Sequence, residues 1–461
     1  MAHVSKLASL QRRAFLKRAS ALSVVGAAAP WALQLAAMND AAAATGTGDY
    51  KALVCIFLQG GNDHGNTVIP FDAANYQSYA NIRQALALSR DSLAATALNP
   101  SVALAGGAQM ALAPGLAPIK PVFDEGRLAV MMNIGTLMQP TTVAQYKAGS
   151  VPLPPKLFSH NDQQSLWQAS NPEGAVTGWG GRMGDLLLGG NGNAAFTCIN
   201  ASSNAVYLSG QQAFQYQVSA GGATPMTGIT QNLFGSKACS DLLRSLVTAE
   251  RSHWMEAELN RVSANSINLQ GTMSSAMAAA NLQTAFAADA LAQQLKTVAR
   301  MIAARSSLGV SRQVFFVSAG GFDLHDSLLL RHPVLLGQLA GAMASFDAAL
   351  RELNVADKVT SFTASDFGRT LSSNGDGSDH GWGSHHFVMG GAVKGGRFYG
   401  TPPAVATNGA DDVGQGRLLP TTSVDQLAST LALWMGVPAS DLSRVLPGIV
   451  NFNNRDLGFM A

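Results

Sequence analysis

Six of the nine histidines in this 461-residue chain stand in four short windows beside acids, amides or hydroxyls. The windows are Asn62-Asp63-His64, Ser159-His160-Asn161-Asp162, Gly320-Gly321-Phe322-Asp323-Leu324-His325, and Asp379-His380 running on to His385-His386. A fifth window, Ser365-Asp366-Phe367-Gly368-Arg369-Thr370, brings an acid and an arginine without a histidine. Only 13% of the residues are charged, so acids gathered beside imidazoles are unlike ordinary solvated surface. Carboxylate oxygen and imidazole nitrogen are the donors that suit Zn²⁺ and similar ions. The pattern points to a divalent-metal site assembled from distant parts of the chain.

Each window also has a structural alternative. Asp63 after Gly60-Gly61 could be a turn or helix cap, and Asp366 could cap a helix or pair with Arg369. Asp323 and His325, two apart in an extended segment, share a face and can reach one ion. Asp379-His380 with His385 and His386, set among small residues, is the hardest to explain as structure. His253 and His332 stand in helical contexts without partners and read as structural. Ser159 with Asp162 three residues on resembles a helix N-cap, worth roughly 1 kcal/mol. The same position suits a nucleophile, since helix N-terminal amides favour an oxyanion and a nearby metal lowers a hydroxyl pKa. The cap is the preferred reading of the two.

Strands and helices must bring these windows together. Residues 53–58, 128–134 and 314–317 are apolar runs closed by glycine, as in parallel strands covered on both faces, and 359–364 is a further candidate strand. Helical spacing marks residues 240–262, 276–306, 333–353 and 424–436, with Thr422 or Ser423 to cap the last. Alternating strands and helices imply an α/β fold with a mainly parallel sheet. Ligands in such sheets bind beyond the carboxyl ends of the strands, which is where Asp63, Asp323, His325 and Asp366 would fall. Glycine pairs before Asp63 and Asp323 let the backbone turn sharply there. The long glycine-rich loops 101–116, 186–196, 218–236 and 371–384 suit the walls of a site.

Residues 1–44 read as an address. Arg12-Arg13-Ala14-Phe15-Leu16-Lys17 is a twin-arginine pattern, followed by an alanine-rich apolar stretch and small residues near Ala44. Export to the periplasm or beyond is expected. Of 30 basic and 28 acidic residues, five (Lys6, Arg12, Arg13, Lys17, Arg18) and one (Asp40) lie in that segment. The remainder therefore carries 25 and 27, a net charge of −2. Nothing in that balance holds nucleic acid. No later stretch reads as a stable membrane span. Residues 45–461 read as one domain with a helical insertion at about 236–306. Three cysteines are too few for a disulfide scaffold; Cys55 reads as a buried thiol, and a Cys198–Cys239 bridge is open.

Together the windows resemble DUF1501, a family of exported bacterial proteins. The matching pieces are Phe57-Leu-Gln-Gly-Gly-Asn-Asp63, Ser159-His-Asn-Asp-Gln163, Gly320 to His325, Ser365 to Thr370, and Asp379-His380 continuing to Met389-Gly-Gly-Ala-Val-Lys-Gly-Gly396. That family looks like a branch of the alkaline phosphatase and sulfatase superfamily. The resemblance implies a three-layer sandwich around a central, mainly parallel sheet. It also implies one or two divalent ions: zinc first, with manganese, calcium or magnesium as alternatives. By analogy Asp63 and Asp366 would hold one ion beside Ser159. Asp323, His325 and a later histidine, His380 first and His386 second, would hold the other. Ser159, His160 and Arg369 form the implied catalytic set, with Lys394 as a second source of positive charge. Two features depart from the superfamily. Phe367 stands where a histidine ligand commonly follows the acid, leaving that place to His160, His64 or His385, and the sulfatase proline–arginine motif is absent near Ser159. The expected function is hydrolysis of a phosphate or sulfate ester, small or glycan-borne, through a seryl intermediate. The alternative is a non-catalytic envelope protein that keeps the fold and binds a protein partner.

Overall fold

The computed structural model describes residues 49–219, 222–223 and 227–461; the expected export signal lies outside them. Twelve strands follow in chain order. They are β1 (Lys51–Leu58), β2 (Val68–Pro70), β3 (Met110–Leu112), β4 (Leu128–Gly135), β5 (Cys198–Asn200), β6 (Gln215–Ser219), β7 (Gly222–Ala223), β8 (Arg312–Ala319), β9 (Val359–Ser365), β10 (Ser384–Met389), β11 (Arg397–Tyr399) and β12 (Thr422–Ser423). Ten of them form one sheet in the order β11-β4-β10-β9-β1-β8-β5-β6-β7, with β12 also on β4; β2 and β3 pair separately. β1 is central and parallel to both neighbours, Leu53 aligning with Val314 of β8 and with Thr360 of β9. β10 runs antiparallel to β9 and β4, and β7 antiparallel to β6; the other strands share the direction of β1.

Both faces of the sheet are covered, which is why its strands are apolar without interruption. Val54, Ile56, Phe315 and Val317 face one layer, packed against the helices Ala290–Ala303 and Leu328–Glu352. Leu53, Phe57, Val314, Phe316 and Phe362 face the other, with the helices Trp179–Leu187 and Val424–Met435. Burying each such side chain contributes about 1.5–3 kcal/mol. The result is the expected three-layer α/β sandwich. Ser423 caps the helix Val424–Met435 in a reciprocal arrangement with Gln426.

Some helices differ from the sequence reading. The stretch 240–262 is divided between Lys237–Thr248 and Trp254–Ala279, and 276–306 is interrupted before Asp289 caps Ala290–Ala303. Leu328–Glu352 is long and apolar enough to cross a membrane by composition, contrary to expectation. Half of its apolar window is buried, and its Asp347 pairs with Arg127 at 3.0 Å, as a core helix does. Cys55, Cys198 and Cys239 are all free thiols, so the Cys198–Cys239 bridge is not formed.

Candidate metal centre

The topology sets the site. β1, β8 and β9 end at one edge of the sheet, and antiparallel β10 begins there. Segments 59–64, 320–325, 366–370 and 379–383 therefore meet, although hundreds of residues separate them. The Gly60 backbone has φ +115°, and a Cβ there would lie 2.3 Å from the Asp323 amide nitrogen. Only glycine permits that approach.

His160, Asp323 and His380 offer ligand atoms that all lie within 4.8 Å of one another. The Asp323 carboxylate is the hub. His160 Nε2 is 3.6 Å from its Oδ2; His325 Nε2 and His380 Nε2 are 3.1 and 3.6 Å from its Oδ1. Ligand atoms sharing a tetrahedral ion at bonds of about 2.0–2.2 Å are separated by roughly 3.3–3.5 Å, so these spacings fit a common ion. The Asp323 side chain is 48% exposed, which leaves the centre open to solvent and substrate.

The back of each imidazole is held. His160 Nδ1 donates to Asp366 Oδ2 at 2.6 Å, His325 Nδ1 to Asp379 Oδ1 at 3.1 Å, and His380 Nδ1 to the Phe158 carbonyl at 2.7 Å. All three partners only accept, so each Nδ1 carries a proton, and in the neutral ring each Nε2 presents a lone pair. Second partners that fix the tautomer in this way are the usual support of metal-bound histidines. His325 Nε2 and His380 Nε2 then stand 2.9 Å apart as two lone pairs facing one another. His160 Nε2 is buried with no hydrogen-bond partner. That arrangement is unfavourable without a cation in reach and natural with one. Burial also lowers the pKa of His380, keeping it neutral.

Charge agrees with this geometry. Asp323 faces one buried cation, Arg369, which donates to its Oδ1 and to the Gly60 and Gly61 carbonyls. Arg369 Nη1 also lies 3.3 Å from His325 Nε2, so His325 is shared between the arginine and the centre. Burial opposes the charge of Asp323, but Arg369 and then the neighbouring histidines hold its carboxyl below the usual range. Asp379 behaves alike, with Asn374 and His325 outweighing burial.

Several expected ligands go elsewhere. Asp63 accepts from Arg83 at 2.8 Å and Ser378 at 2.6 Å on Oδ2, and from the Asn66 amide at 3.0 Å on Oδ1. Both oxygens are engaged in the core, and Asp63 is outside the group formed by His160, Asp323 and His380. Asp366 also stands outside the group of three: its oxygens take the Gly60 amide, Gln164 Nε2 at 2.9 Å and His160. It positions His160. His386 points into the core, 3.4 Å from Thr363 Oγ1 and edge-on to Trp167, with burial pushing its pKa down to about 3. His64 and His385 face each other at 5.2 Å, while His160, the third of the alternatives, lies beside Asp323. Phe367 instead packs against His160 and His380 at 4.8 and 4.7 Å. His332 is buried and bonds Asn62 at 2.9 Å. Lys394 follows the far end of β10, on the opposite edge of the sheet.

Ser159 holds the N-cap position of the helix His160–Ala169, but its side chain caps no amide. Its Oγ donates to Asp162 Oδ2 at 2.8 Å. It stands between Phe158, whose carbonyl anchors His380, and His160 itself. Phe158 adopts φ +71°, a conformation costing about 1–3 kcal/mol for such a residue. Sequence reasoning did not single out Gln164, Phe158 or Asp379 as supports. Gln164 was discoverable, four residues after His160 on the same helical face.

An open group of two histidines and one carboxylate thus lies at the strand ends of an α/β sandwich. The chain belongs to the family described as "Protein of unknown function (DUF1501)", whose model matches residues 50–446. No curated protein matches it. Among solved structures it is similar to the PsFucS1 sulfatase from Pseudoalteromonas sp., at 8% identity over 89% of this chain and 72% of that one, TM-score 0.36. Ps i-CgsB, crystallised with k-i-k-neocarrahexaose, is similar at 9% identity over 89% and 77%, TM-score 0.35. An alkaline phosphatase, PafA, in mutant form, is similar at 9% identity over 71% and 64%, TM-score 0.26. Likeness of this degree leaves the architecture resting on the chain's own topology.

Proposed function

We propose that this chain is an exported hydrolase of phosphate or sulfate esters that holds one divalent ion at His160, Asp323 and His380, with His325 beside them. The observation that carries the reading is the convergence of three imidazole lone pairs on one half-exposed carboxylate, each ring fixed from behind. The donor set suits zinc, with manganese, calcium or magnesium as competitors. A bound ion supplies Lewis acidity toward an ester oxygen and lowers the pKa of a nearby hydroxyl.

The chain's own residues supply the rest. Ser159 Oγ is the nucleophile and Asp162, at 2.8 Å, accepts its proton. The serine oxygen bonds to phosphorus or sulfur as the ester alcohol leaves with a proton, and water then releases the acid from serine. Amides at the start of the helix His160–Ala169 favour the negative charge that develops. Arg369 balances Asp323 and keeps its oxygens in place.

The test is hydrolysis of an aryl sulfate and an aryl phosphate by the purified protein. Ser159→Ala should keep its ion and lose turnover; turnover at the wild-type rate in that variant contradicts the seryl step. A second reading, a non-catalytic binding protein, is favoured by Phe367 at the place of a superfamily ligand and by Arg369 lying against Asp323. Under it, Ser159→Ala changes nothing but a little stability.

A further inference from the structure

Beside the centre, at the same edge of the sheet, lies a cleft of about 460 Å³ that the proposed chemistry does not use. That volume lies within the range of small-molecule sites. One wall continues from β4, through Leu137, Pro140 and Thr142; the other is the segment leading to β12, with Asp411, Pro420 and Thr421. Both walls touch the segment that carries His380. Trp382 Nε1 donates to the Thr136 carbonyl at 2.7 Å, and Arg417 Nε to the His380 carbonyl at 2.8 Å. Two strand spacings, on the order of 10 Å, separate β4 from β9, where the centre sits.

The lining decides the ligand class. Its only charged side chain is Asp411, and no lysine, arginine or histidine lines it, so the cleft repels an anion. Thr421, Asn453 and Asn454 are exposed, and their side chains make no hydrogen bond among the described residues. Asp411 gives one oxygen to the Ala404 amide and leaves the other free. Hydroxyl, amide and carboxylate groups thus combine donors and acceptors at short range. Leu137, Pro140 and Pro420 add flat apolar surface between them. Neutral donors and acceptors alternating with aliphatic patches match a polyhydroxylated ring, whose edges are polar and whose faces carry C–H groups.

We propose that this cleft binds the neutral, sugar-like part of the substrate while the anionic ester lies at the metal centre. The substrate class is then a glycan ester, longer than one residue, rather than a small free ester. The link to ester cleavage rests on the function proposed above; sugar binding by the cleft does not.

The experiment separates the two. A panel of neutral oligosaccharides without sulfate or phosphate (cello-, agaro- and mannohexaose among them) is screened on the full protein, and the tightest is titrated by calorimetry. Two variants are compared: Asn453→Ala with Asn454→Ala, and Thr421→Trp, which fills the cleft from an exposed position. Each should weaken the hexaose at least ten-fold and leave small aryl ester turnover unchanged. Asp323→Ala should bind the hexaose like the wild type even where it holds no ion. No binding of any panel member, or unaltered binding in both folded cleft variants, overturns the proposal.

Discussion

Asp63 and Asp323 look alike in sequence, each an acid shortly after a Gly-Gly pair at the end of a central strand, yet the fold uses them in opposite ways. Asp63 is 1% exposed, and both its oxygens accept from donors of the core: Arg83, Ser378 and the Asn66 amide. Asp323 is half-exposed; besides Arg369 it gathers three imidazole nitrogens, which in their neutral form present lone pairs. A saturated carboxylate locks two loops together. An acid ringed by lone pairs is a place for a cation. What separates structure from site here is whether the surrounding groups satisfy one another.

The largest expected difference between the two is in stability. Asp63→Ala leaves the Arg83 guanidinium buried without its partner, which should cost about 3–5 kcal/mol in denaturant unfolding. Asp323→Ala also takes a carboxylate from a buried arginine, but Arg369 keeps the Gly60, Gly61 and Ser378 carbonyls and Asp323 itself is half-exposed, so the loss should be smaller. Equal losses would erase the distinction.

Acid sharpens the same comparison. Burial opposes ionisation of Asp63, but Arg83 and its other partners hold its carboxyl well below the usual range. A group with a depressed folded pKa contributes stability above the ordinary carboxylate pKa of about 4 and loses it as the pH falls further. Unfolding followed from pH 6 down to pH 2 should therefore show a steep loss below pH 4 in the wild type. Asp63→Asn, weaker throughout, should show a shallower slope; an unchanged slope would assign the acid sensitivity to other groups.

Asp366 occupies the middle ground, buried like Asp63 but acting on the centre through His160. Asp366→Asn can keep an oxygen on His160 while losing the charge, and should weaken ion binding about 10–100-fold in a chelator competition. Affinity equal to the wild type would make Asp366 merely structural. The smallest effect belongs to Ser159→Ala. With no amide capped, its stability should fall by less than the roughly 1 kcal/mol typical of a lost cap, as thermal unfolding would show.

Much of the fold was legible because buried parallel strands announce themselves. Residues 53–58, 128–134, 314–317 and 359–364 all lie in strands. β10 was not, since its start, Ser384-His385-His386, resembles a ligand cluster; burial there turns two histidines into neutral core residues. For the centre, the edge rule pointed to Asp323 and His325 and the family resemblance to His380, and the structure brings the three together. His160 was placed in the catalytic set and only as one substitute ligand. The fate of Asp63 was hidden because its partner Arg83 carries no mark in the sequence. Each acid meets a buried arginine, and only the fold determines that Asp63 is enclosed with its arginine while Asp323 stays half-exposed among three imidazoles.

Elemental analysis of the folded protein, after loading with zinc and removal of excess, tests the central claim most directly. The wild type should retain about one equivalent, Asp63→Ala should match it in the folded fraction, and Asp323→Ala should retain none. Equal ion content in wild type and Asp323→Ala, or no retained ion in the wild type, would contradict it.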